Sequence, residues 1–464
     1  MSYKFKTTFL CLWILSVLQS QAQSTVSSWI STSDKAALLQ AQPVISLSPP
    51  AADTANSIVI DTEQQYQHID GFGFALTGGS AQHMIRMTPE LRKKLIAQLF
   101  SSQAEGIGVS YLRLSIGASD LNDHVFSYDD LPAGQTDMML RKFTLAEDEQ
   151  DVVPVLKEIL AVNPHIKIMG SPWSAPVWMK TNGKIQGGML QEKYYPVYVQ
   201  YFVKYIQAMK KHGISIDAIT VQNEPFNDGN TPSMQFLAKQ ELRFIKNHLG
   251  PAFRSAGIRT KIVLYDHNCD APEYPISILT DAAARPFIDG SGFHLYAGPV
   301  TAMSQVHDAF PGKNLYFTEM MATARDGSFN IAVPTERIMI GATRNWSRNV
   351  LLWNLAANSR YEPHTDNGGC PFCQGAVSID GNEVTRNLAF YTMGHFSKFV
   401  PMGSVRIGSS LSGGVSNVAF KTPAGKIVCV VANRSASPHS FQVINQGQSF
   451  RSSLPGGAVG TYVW

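Results

Sequence analysis

The sequence has few cysteines, little excess charge and, after its first residues, no long hydrophobic run. Five of its 464 residues are cysteine, and its formal net charge is +3 at pH 7. This small charge excess excludes the strongly basic surface of a nucleic-acid-binding protein and a polybasic membrane anchor. No stretch beyond the N-terminus is apolar and long enough to span a bilayer, so stable membrane insertion is not expected. The composition fits a globular protein large enough for one barrel and a small accessory domain.

The first residues have the layout of an export signal. Lys4 and Lys6 form a short basic region, an apolar run extends from Phe9 to Leu18, and Ser20-Gln21-Ala22 supplies small residues around a cleavage point. The apolar run is too short to remain in a bilayer as a permanent helix. The pattern predicts a signal peptide at residues 1–22 and a protein released to the periplasm or the extracellular space.

Four cysteines remain once Cys11 leaves with the signal peptide. Cys370 and Cys373 have the C-x-x-C spacing of zinc and redox sites. Such a site needs a second Cys/His pair or a thioredoxin-like context, and no matching pair lies nearby in the sequence. We therefore expect no metal here. In an exported protein a local disulfide between the two is expected, with free thiols as the alternative.

Most of the chain alternates short apolar runs with amphipathic helical stretches, which indicates βα units around a parallel sheet. One helix is expected to open at Thr88-Pro89-Glu90, with Thr88 as its N-cap, and another spans Tyr194 to Lys211. Eight such units predict a (β/α)8 (TIM) barrel over residues 67–398. The strand candidates are Ile69–Ala75, Tyr111–Gly117, Ile166–Ser171, Ala218–Asn223, Lys261–Asp266, Gly292–Tyr296, Leu315–Glu319 and Val350–Asn354.

The pattern changes near residue 400 to short β-like runs separated by turn residues. These runs predict a small antiparallel β-sandwich domain at residues 399–464. Residues 23–66 form an N-terminal segment with further β-like runs, including Ser57–Asp61, and its strands are expected to join the sandwich. The C-terminal candidates are Val405–Ile407, Val418–Phe420, Ile427–Val431, Ser440–Val443 and Gly460–Trp464.

Two glutamates stand at the ends of predicted barrel strands, where barrel enzymes carry their catalytic residues. Glu224 ends the fourth strand and Glu319 the seventh, after apolar runs in which a structural carboxylate would be costly to bury. Cleavage of a glycosidic bond needs two carboxyl groups flanking that bond, and a spacing of about 5 Å permits retention of configuration. The alternative is that each glutamate forms a structural ion pair. Their shared placement, beside Asn223 and Arg113, favours catalysis.

At these positions the sequence resembles glycoside hydrolase family 30. The resemblance extends from about residue 66 to Trp464, so it covers both the predicted barrel and the sandwich, which this family joins tightly. Several of the matching segments are long and specific. They are HIDGFGFALTGG, YLRLSIGASD, SPWSAPVWMKTNG, AITVQNEP, GFHLYAG, LYFTEM, VLLWNLAAN and GHFSKFVPMGSVRI.

The resemblance implies a role for each matching residue. Glu224 is implied as the acid/base and Glu319 as the nucleophile, with the pKa of Glu224 expected to be raised while Glu319 is ionised. Asn223 would bond the sugar 2-hydroxyl, and Arg113 would hold Glu319 ionised. The remaining implied site residues are Trp173 and Trp353 as pocket walls, Tyr296 as a hydrogen-bond donor to the nucleophile, and His294 close by. For these four, ordinary core packing or a satisfied buried histidine is the alternative.

The substrate is less narrowly indicated than the chemistry. After the first strand the chain reads Thr77-Gly78, and Gly78 has no side-chain carboxylate that could bind sugar hydroxyls. We therefore expect Asp120, His267 or the loop at 360–375 to complete the sugar pocket. The loop around Cys370 and the stretch from Asp266 look more like bacterial family members, among which are enzymes acting on β-1,6-glucans. We therefore expect a β-glucan or β-glucoside substrate, with β-1,6-glucan ahead of glucosylceramide and a β-xyloside third. No cofactor is required. A non-catalytic glycan-binding protein is the rival from another class, and oligomeric state and endo or exo action are open.

Overall fold

The computed structural model describes residues 25–51, 56–323, 329–365 and 369–464. The predicted signal peptide at residues 1–22 lies outside these ranges. Among the helices that the ranges contain, none combines the length and the apolar character needed to cross a membrane.

In the described part of the chain before the barrel there are four strands, and the longest of them alternates buried and exposed side chains. Ile58 and Ile60 are buried whereas Val59 between them is exposed, the period of two expected of a strand with one face on a core. This strand contains the run Ser57–Asp61 that the sequence singles out. The four are β1 (Thr25–Ser31), β2 (Gln40–Ala41), β3 (Ile45–Ser46) and β4 (Ser57–His68).

Eight parallel strands then close into a barrel, as predicted. They are buried on both faces, which explains why they read as nearly continuous apolar runs. The fourth ends at Thr220 rather than Asn223, because the chain leaves the ladder before a left-handed turn at Glu224 (φ 47°). The strands are β5 (Gly71–Leu76), β6 (Tyr111–Ser115), β7 (Lys167–Ser171), β8 (Ala218–Thr220), β9 (Lys261–Asn268), β10 (Gly290–His294), β11 (Asn314–Glu319) and β12 (Ser347–Leu352).

A layer of buried side chains fills the barrel below the strand ends. Arg113 lies two residues beyond Tyr111 on the same strand, so both point into the barrel interior and Arg113 lies one layer higher. The layer supports the residues above it. It consists of Tyr111, Met169, Ala218, Val263, Tyr316 and Leu351.

Helices cover the outside of the barrel. The helix expected at Thr88 begins at Pro89 with Thr88 at the N-cap position, although the Thr88 side chain makes no capping hydrogen bond. The long helix over 195–211 buries tyrosines that stack on Tyr128. The helices are α1 (Gly78–Arg86), α2 (Pro89–Phe100), α3 (Val152–Val162), α4 (Tyr195–Lys211), α5 (Ala238–Phe244), α6 (Gly250–Ser255), α7 (Glu273–Leu279), α8 (Ala302–Ala309), α9 (Ala332–Pro334), α10 (Gly341–Arg344) and α11 (Leu388–Ser397).

The remaining strands form a small three-stranded sheet and the sandwich. In the sandwich β1 pairs with the last strand, and β4 lies between two C-terminal strands, so the N-terminal strands are part of the same ten-stranded sheet. Gln448–Leu454 is a strand that was not predicted, because it has no β-branched residue. The strands are β13 (Ala356–Ala357), β14 (Val377–Asp380), β15 (Glu383–Arg386), β16 (Val405–Ser409), β17 (Ser416–Lys421), β18 (Ile427–Ala432), β19 (His439–Asn445), β20 (Gln448–Leu454) and β21 (Val459–Val463).

The sandwich is packed directly on the barrel. Along β17, Val418 and Phe420 point to the barrel core, whereas Ala419 between them belongs to the core of the sandwich. The rings of Phe72 on β5 and Phe396 on α11 have centroids 5.5 Å apart, and that of Phe420 lies 6.3 Å from Phe396. Both faces of the sheet are therefore buried at this junction.

Candidate active site

The candidate site lies at the carboxyl ends of the barrel strands. Its ionisable centre is Arg113 on β6, which is 1% exposed and points into the barrel. Its guanidinium donates to Glu319 Oε2 at 2.5 Å, to Asn223 Oδ1 at 2.6 Å and to Asp266 Oδ2 at 2.8 Å. Charge-assisted hydrogen bonds of this kind fix the side chains that they join. One arginine thus orients residues of the fifth and seventh strands and of the segment that follows the fourth.

His294, at the end of β10, links three carboxylates. Its Nε2 lies 3.0 Å from Asp266 Oδ1, and its Nδ1 lies 3.2 Å from Glu224 Oε1 and 4.0 Å from Glu319 Oε1. Burial alone would lower the pKa of His294, but the charge of Glu319 and the hydrogen bonds to Asp266 and Glu224 raise that pKa to about 9. At neutral pH the ring is a cation that donates from both nitrogens.

Glu224 follows β8 in a left-handed backbone conformation, which turns its side chain into the site. Asn227 Nδ2 donates to its Oε2 at 2.6 Å. Burial raises the pKa of Glu224, but the hydrogen bond and charge of His294 outweigh that effect and leave the pKa below its usual value. The expectation of a raised pKa for Glu224 is therefore wrong, because the sequence did not indicate the positive charge of His294 beside it.

Glu319, the last residue of β11, is held through both of its oxygens. Arg113 contacts Oε2, and the Tyr296 hydroxyl donates to Oε1 at 3.0 Å. Burial nevertheless raises the pKa of Glu319, and the positive charges of His294 and Arg113 offset this only in part, since Glu224 acts in the same direction as burial. The fixed orientation of this carboxylate is what a nucleophile requires.

A cavity of about 500 Å³ opens above the two glutamates. Trp353 lines it, whereas Trp173 lies behind, with ring centroids 5.4 Å apart and the Arg113 guanidinium 4.8 Å from the Trp173 ring. Cys370 and Cys373 form the expected disulfide within the loop that closes one side. The lining residues are Asp120, Glu224, Phe226, Asn227, Asn230, His267, Asn268, Tyr296, Glu319, Met321, Trp353 and residues 369–373.

The loop after β5 has no room for a carboxylate at Gly78. A Cβ added there would lie 2.0 Å from the side-chain nitrogen of Asn122, while Thr77 caps α1 by accepting from the Ser80 amide. Asp120, which follows β6, lines the cavity instead, and its Oδ1 is buried without a hydrogen-bond partner among the described residues. Burial, reinforced by Glu319 and Glu224, raises the pKa of Asp120 well above its usual value. Asp120 thus presents one oxygen, Oδ1, that has no hydrogen-bond partner among the described residues.

The structure brings all eight predicted site residues together and adds two that sequence reasoning did not select. Asp266 was noted only as the end of the fifth strand, although such ends are where barrel enzymes carry functional residues. Against the effect of burial, the Arg113 charge and the His294 hydrogen bond hold its pKa well below the usual range. Asn227 lies in a loop, where the sequence carried no signal beyond its nearness to Glu224.

Glu224, His267 and His294 bring their ligating atoms within 4.8 Å of one another, the spacing of a metal site. A metal ion requires a neutral imidazole with a free nitrogen. His294 instead carries a proton on each nitrogen and donates both to carboxylates. The donor set therefore fits a hydrogen-bonded cluster better than a cation site.

Two family models match the chain. Residues 69–400 match the glycosyl hydrolase family 30 TIM-barrel domain, and residues 403–462 match the family 30 β-sandwich domain. The chain belongs to glycosyl hydrolase family 30. It is thereby a glycosyl hydrolase, with the barrel and sandwich of that family.

Relatives within family 30 include glucanases and glucosylceramidases. The chain is 34% identical over 451 residues to endo-1,6-beta-D-glucanase neg1 of Aspergillus fumigatus, with 91% of each chain covered. It is 27% identical to the lysosomal acid glucosylceramidase of Mus musculus, over 88% of this chain and 83% of that protein. The solved structure of the endo-beta1,6-glucanase BT3312 superposes with a TM-score of 0.88 at 34% identity, covering 95% of this chain and 99% of the other. The chain is thus a family 30 glycosidase closely related to endo-1,6-β-glucanases.

Proposed function

We propose that the protein is an exported, retaining β-glycosidase that hydrolyses β-1,6-linked glucan. The observation that carries the proposal is the pair of buried carboxylates, Glu224 and Glu319, whose nearer oxygens lie 3.2 and 4.0 Å from the same nitrogen of His294. A retaining glycosidase holds its carboxyl groups about 5 Å apart, so that one of them can attack the anomeric carbon. Two carboxylates that share one ring nitrogen are compatible with this short spacing.

The proposed reaction is a double displacement. Glu319 attacks the anomeric carbon while Glu224 gives its proton to the glycosidic oxygen, so the C–O bond to the leaving sugar breaks as the bond to Glu319 forms. Water, deprotonated by Glu224, then displaces Glu319 and releases the sugar with its original configuration. Arg113 and Tyr296 hold Glu319 in place, as their contacts to its two oxygens suggest.

The pKa directions of the free protein fit this cycle once the charge of the transition state is considered. In the unliganded site His294 favours the ionised form of Glu224, and burial favours a proton on Glu319. The sugar ring gains positive charge as the glycosidic bond breaks. That positive charge lies against Glu319 and stabilises its carboxylate. A proton held by either glutamate is then favoured on Glu224, at the point where the glycosidic oxygen must be protonated.

Asp120 and Asn223 are the groups that we assign to sugar hydroxyls, with Trp353 as a wall of the pocket. Asp120 has an unpaired oxygen in the cavity, and Asn223 is fixed by Arg113. Buried polar groups without partners discriminate strongly between sugars, because a sugar that lacks the matching hydroxyl leaves them unpaired. This arrangement supports recognition of one glucose unit next to the glutamates.

The choice of β-1,6-glucan rests on the relatives, since the glucanases named above are 34% identical and the glucosylceramidase 27%. A screen of pustulan, glucosylceramide, laminarin and glucuronoxylan decides between these classes. Release of gentio-oligosaccharides or glucose from pustulan supports the proposal. Faster turnover of any of the other three substrates contradicts the assigned linkage while leaving the glycosidase chemistry intact.

Different variants distinguish the proposed roles of the two glutamates. Glu319→Gln should abolish turnover of an activated aryl β-glucoside, because no nucleophile remains. Glu224→Ala should still form the glycosyl-enzyme from that substrate and should be rescued by azide, giving a β-glycosyl azide. An α-azide product would show inversion, and an active Glu319→Gln variant would show that the nucleophile is elsewhere.

Export is proposed from the N-terminal sequence alone. The test is the N-terminal sequence of the protein recovered outside the cytoplasm after expression of the full chain. Cleavage near Ala22 supports export by a signal peptide. Recovery of the intact N-terminus in the cytoplasmic fraction contradicts it.

A further inference from the structure

Phe226 is an aromatic side chain left open to the cavity. It is 44% exposed, although phenylalanine is among the residues most often fully buried. Its ring is nonetheless held in place by edge-to-face contacts to His267, with centroids 5.7 Å apart, and to Tyr274, with centroids 5.4 Å apart. The Tyr274 hydroxyl in turn donates to the Phe236 carbonyl. An exposed but immobilised ring at the mouth of a pocket is a binding surface that loses little entropy when it is covered.

The position of Phe226 along the chain indicates which part of a substrate it meets. It lies two residues after Glu224, the proposed acid, and it lines the same cavity. An acid must lie next to the leaving-group oxygen, so the leaving sugar has to pass alongside Glu224. Of the groups assigned to the sugar that is attacked, Asn223 shares the Arg113 guanidinium with Glu319, and the Trp353 amide donates to the carbonyl of Met320, the residue after Glu319. Phe226 therefore lies on the leaving-group side of the site.

His267 offers a polar contact on the same side. Its Nδ1 is buried in the cavity wall, 3.9 Å from Glu224 Oε1, and has no hydrogen-bond partner among the described residues. Burial lowers the pKa of His267, which keeps the ring neutral at neutral pH. A buried polar atom without a partner is rare in folded proteins and calls for an explanation, which a ligand group bonded to this nitrogen would supply. A hydroxyl of the leaving sugar would form a hydrogen bond with His267 Nδ1 while the sugar ring covers Phe226.

We infer that Phe226 and His267 form the binding subsite for the leaving-group sugar, with Phe226 as its stacking platform and His267 as its hydrogen-bond partner. This inference rests on the proposed glycosidase function and adds to it the residues that select the aglycone. Asn227, which donates to Glu224 Oε2, holds the acid between the two sugars. The apolar face of a pyranose carries C–H groups, which suits an aromatic ring.

The test compares two substrates, of which only one has a sugar as its leaving group. Gentiotriose or gentiotetraose places a sugar over Phe226, whereas β-glucosyl fluoride has a leaving group too small to reach it. Phe226→Ala is expected to lower kcat/KM for the gentio-oligosaccharide about tenfold, which corresponds to about 1.4 kcal/mol and lies within the range of an aromatic contact. Turnover of β-glucosyl fluoride by the same variant should stay within twofold of the wild type, and Phe226→Trp should keep most of the oligosaccharide activity.

Leu237→Ala is the matched control. Leu237 is 46% exposed, lies on the loop that also carries Phe226, and does not line the cavity, so its removal should change neither substrate. Equal losses on both substrates for Phe226→Ala would overturn the subsite in favour of a structural role. An unchanged rate on the oligosaccharide would also overturn it. A wild-type protein that hydrolyses neither substrate refutes the proposed function itself, which is a different result.

Discussion

Replacing His294 by glutamine should change how the stability of this protein depends on pH. In the folded protein His294 is buried between Asp266 and Glu224, and its pKa is raised to about 9. In the unfolded chain the pKa of a histidine is about 6.5. The folded state therefore binds this proton more tightly, and the stabilisation is complete below pH 6.5 and lost as the pH rises through 9. A difference between 6.5 and 9 corresponds to about 3 kcal/mol.

The measurement is the free energy of unfolding of the wild type and of His294→Gln, from denaturant titrations at several pH values between 6 and 10. At pH 6 the variant should be less stable, because Asp266 and Glu224 have lost their shared cation. The difference between the two proteins should shrink by up to about 3 kcal/mol by pH 10, where the wild-type ring is neutral as well. Taking the difference removes the contribution of groups that titrate in this range independently of His294.

His395→Gln is the control for burial of a histidine. His395 is fully buried on α11 and contacts the hydroxyls of Thr461 and Ser31 rather than carboxylates. Burial lowers its pKa to about 3, so it stays neutral from pH 6 to pH 10. In the unfolded chain the pKa of this histidine is about 6.5, so the stability of the wild type relative to this variant should rise by about 1 kcal/mol between pH 6 and pH 8 and stay constant from there to pH 10. If the stability of the wild type relative to His294→Gln also showed no fall between pH 7 and pH 10, a cationic His294 in the folded protein would be refuted.

Three further predictions concern the walls of the site. Gly78→Ala should destabilise the protein by about 1–3 kcal/mol in thermal unfolding, because the added Cβ meets Asn122, and Asn122→Ala should recover part of that loss. Cys370→Ser with Cys373→Ser should reduce activity through the loop while changing the unfolding midpoint little, since the disulfide closes a very short loop; an unchanged rate would show that the loop needs no cross-link. Asp120→Asn should raise KM or lower kcat for every β-glucoside at least tenfold, and wild-type kinetics in that variant would remove Asp120 from the sugar pocket.

The fold was predictable because two kinds of pattern agree along most of the chain. Strands buried on both faces read as apolar runs, and they alternate with helical stretches such as Tyr195–Lys211. Strand ends were less predictable, as the early end of the fourth strand at Thr220 shows. Gln448–Leu454 was missed because its β-structure comes from pairing with β19 and not from the propensity of its residues.

The site was predictable as a set of positions but not as an electrostatic system. Glu224 and Glu319 could be selected because strand ends of a barrel converge on one rim. The pKa directions depend on distances between side chains from different strands, above all those from His294 to three carboxylates. No sequence pattern contains those distances. Asn227 and Phe226 are likewise placed by the loop after β8, whose course the sequence does not determine.

The pairing of β1 with β21 has a consequence for how the chain folds as it is synthesised. Ser27 on β1 pairs with Val463 on β21, and β4 pairs with β16. The sheet of the sandwich therefore cannot form until residues beyond 400 have left the ribosome. All eight barrel strands lie between those partners and can pair with one another earlier. Contacts between residues so far apart in sequence form slowly. The barrel is therefore expected to form before the sandwich, and the edges of β1 and β4 stay unpaired until the C-terminal strands reach them.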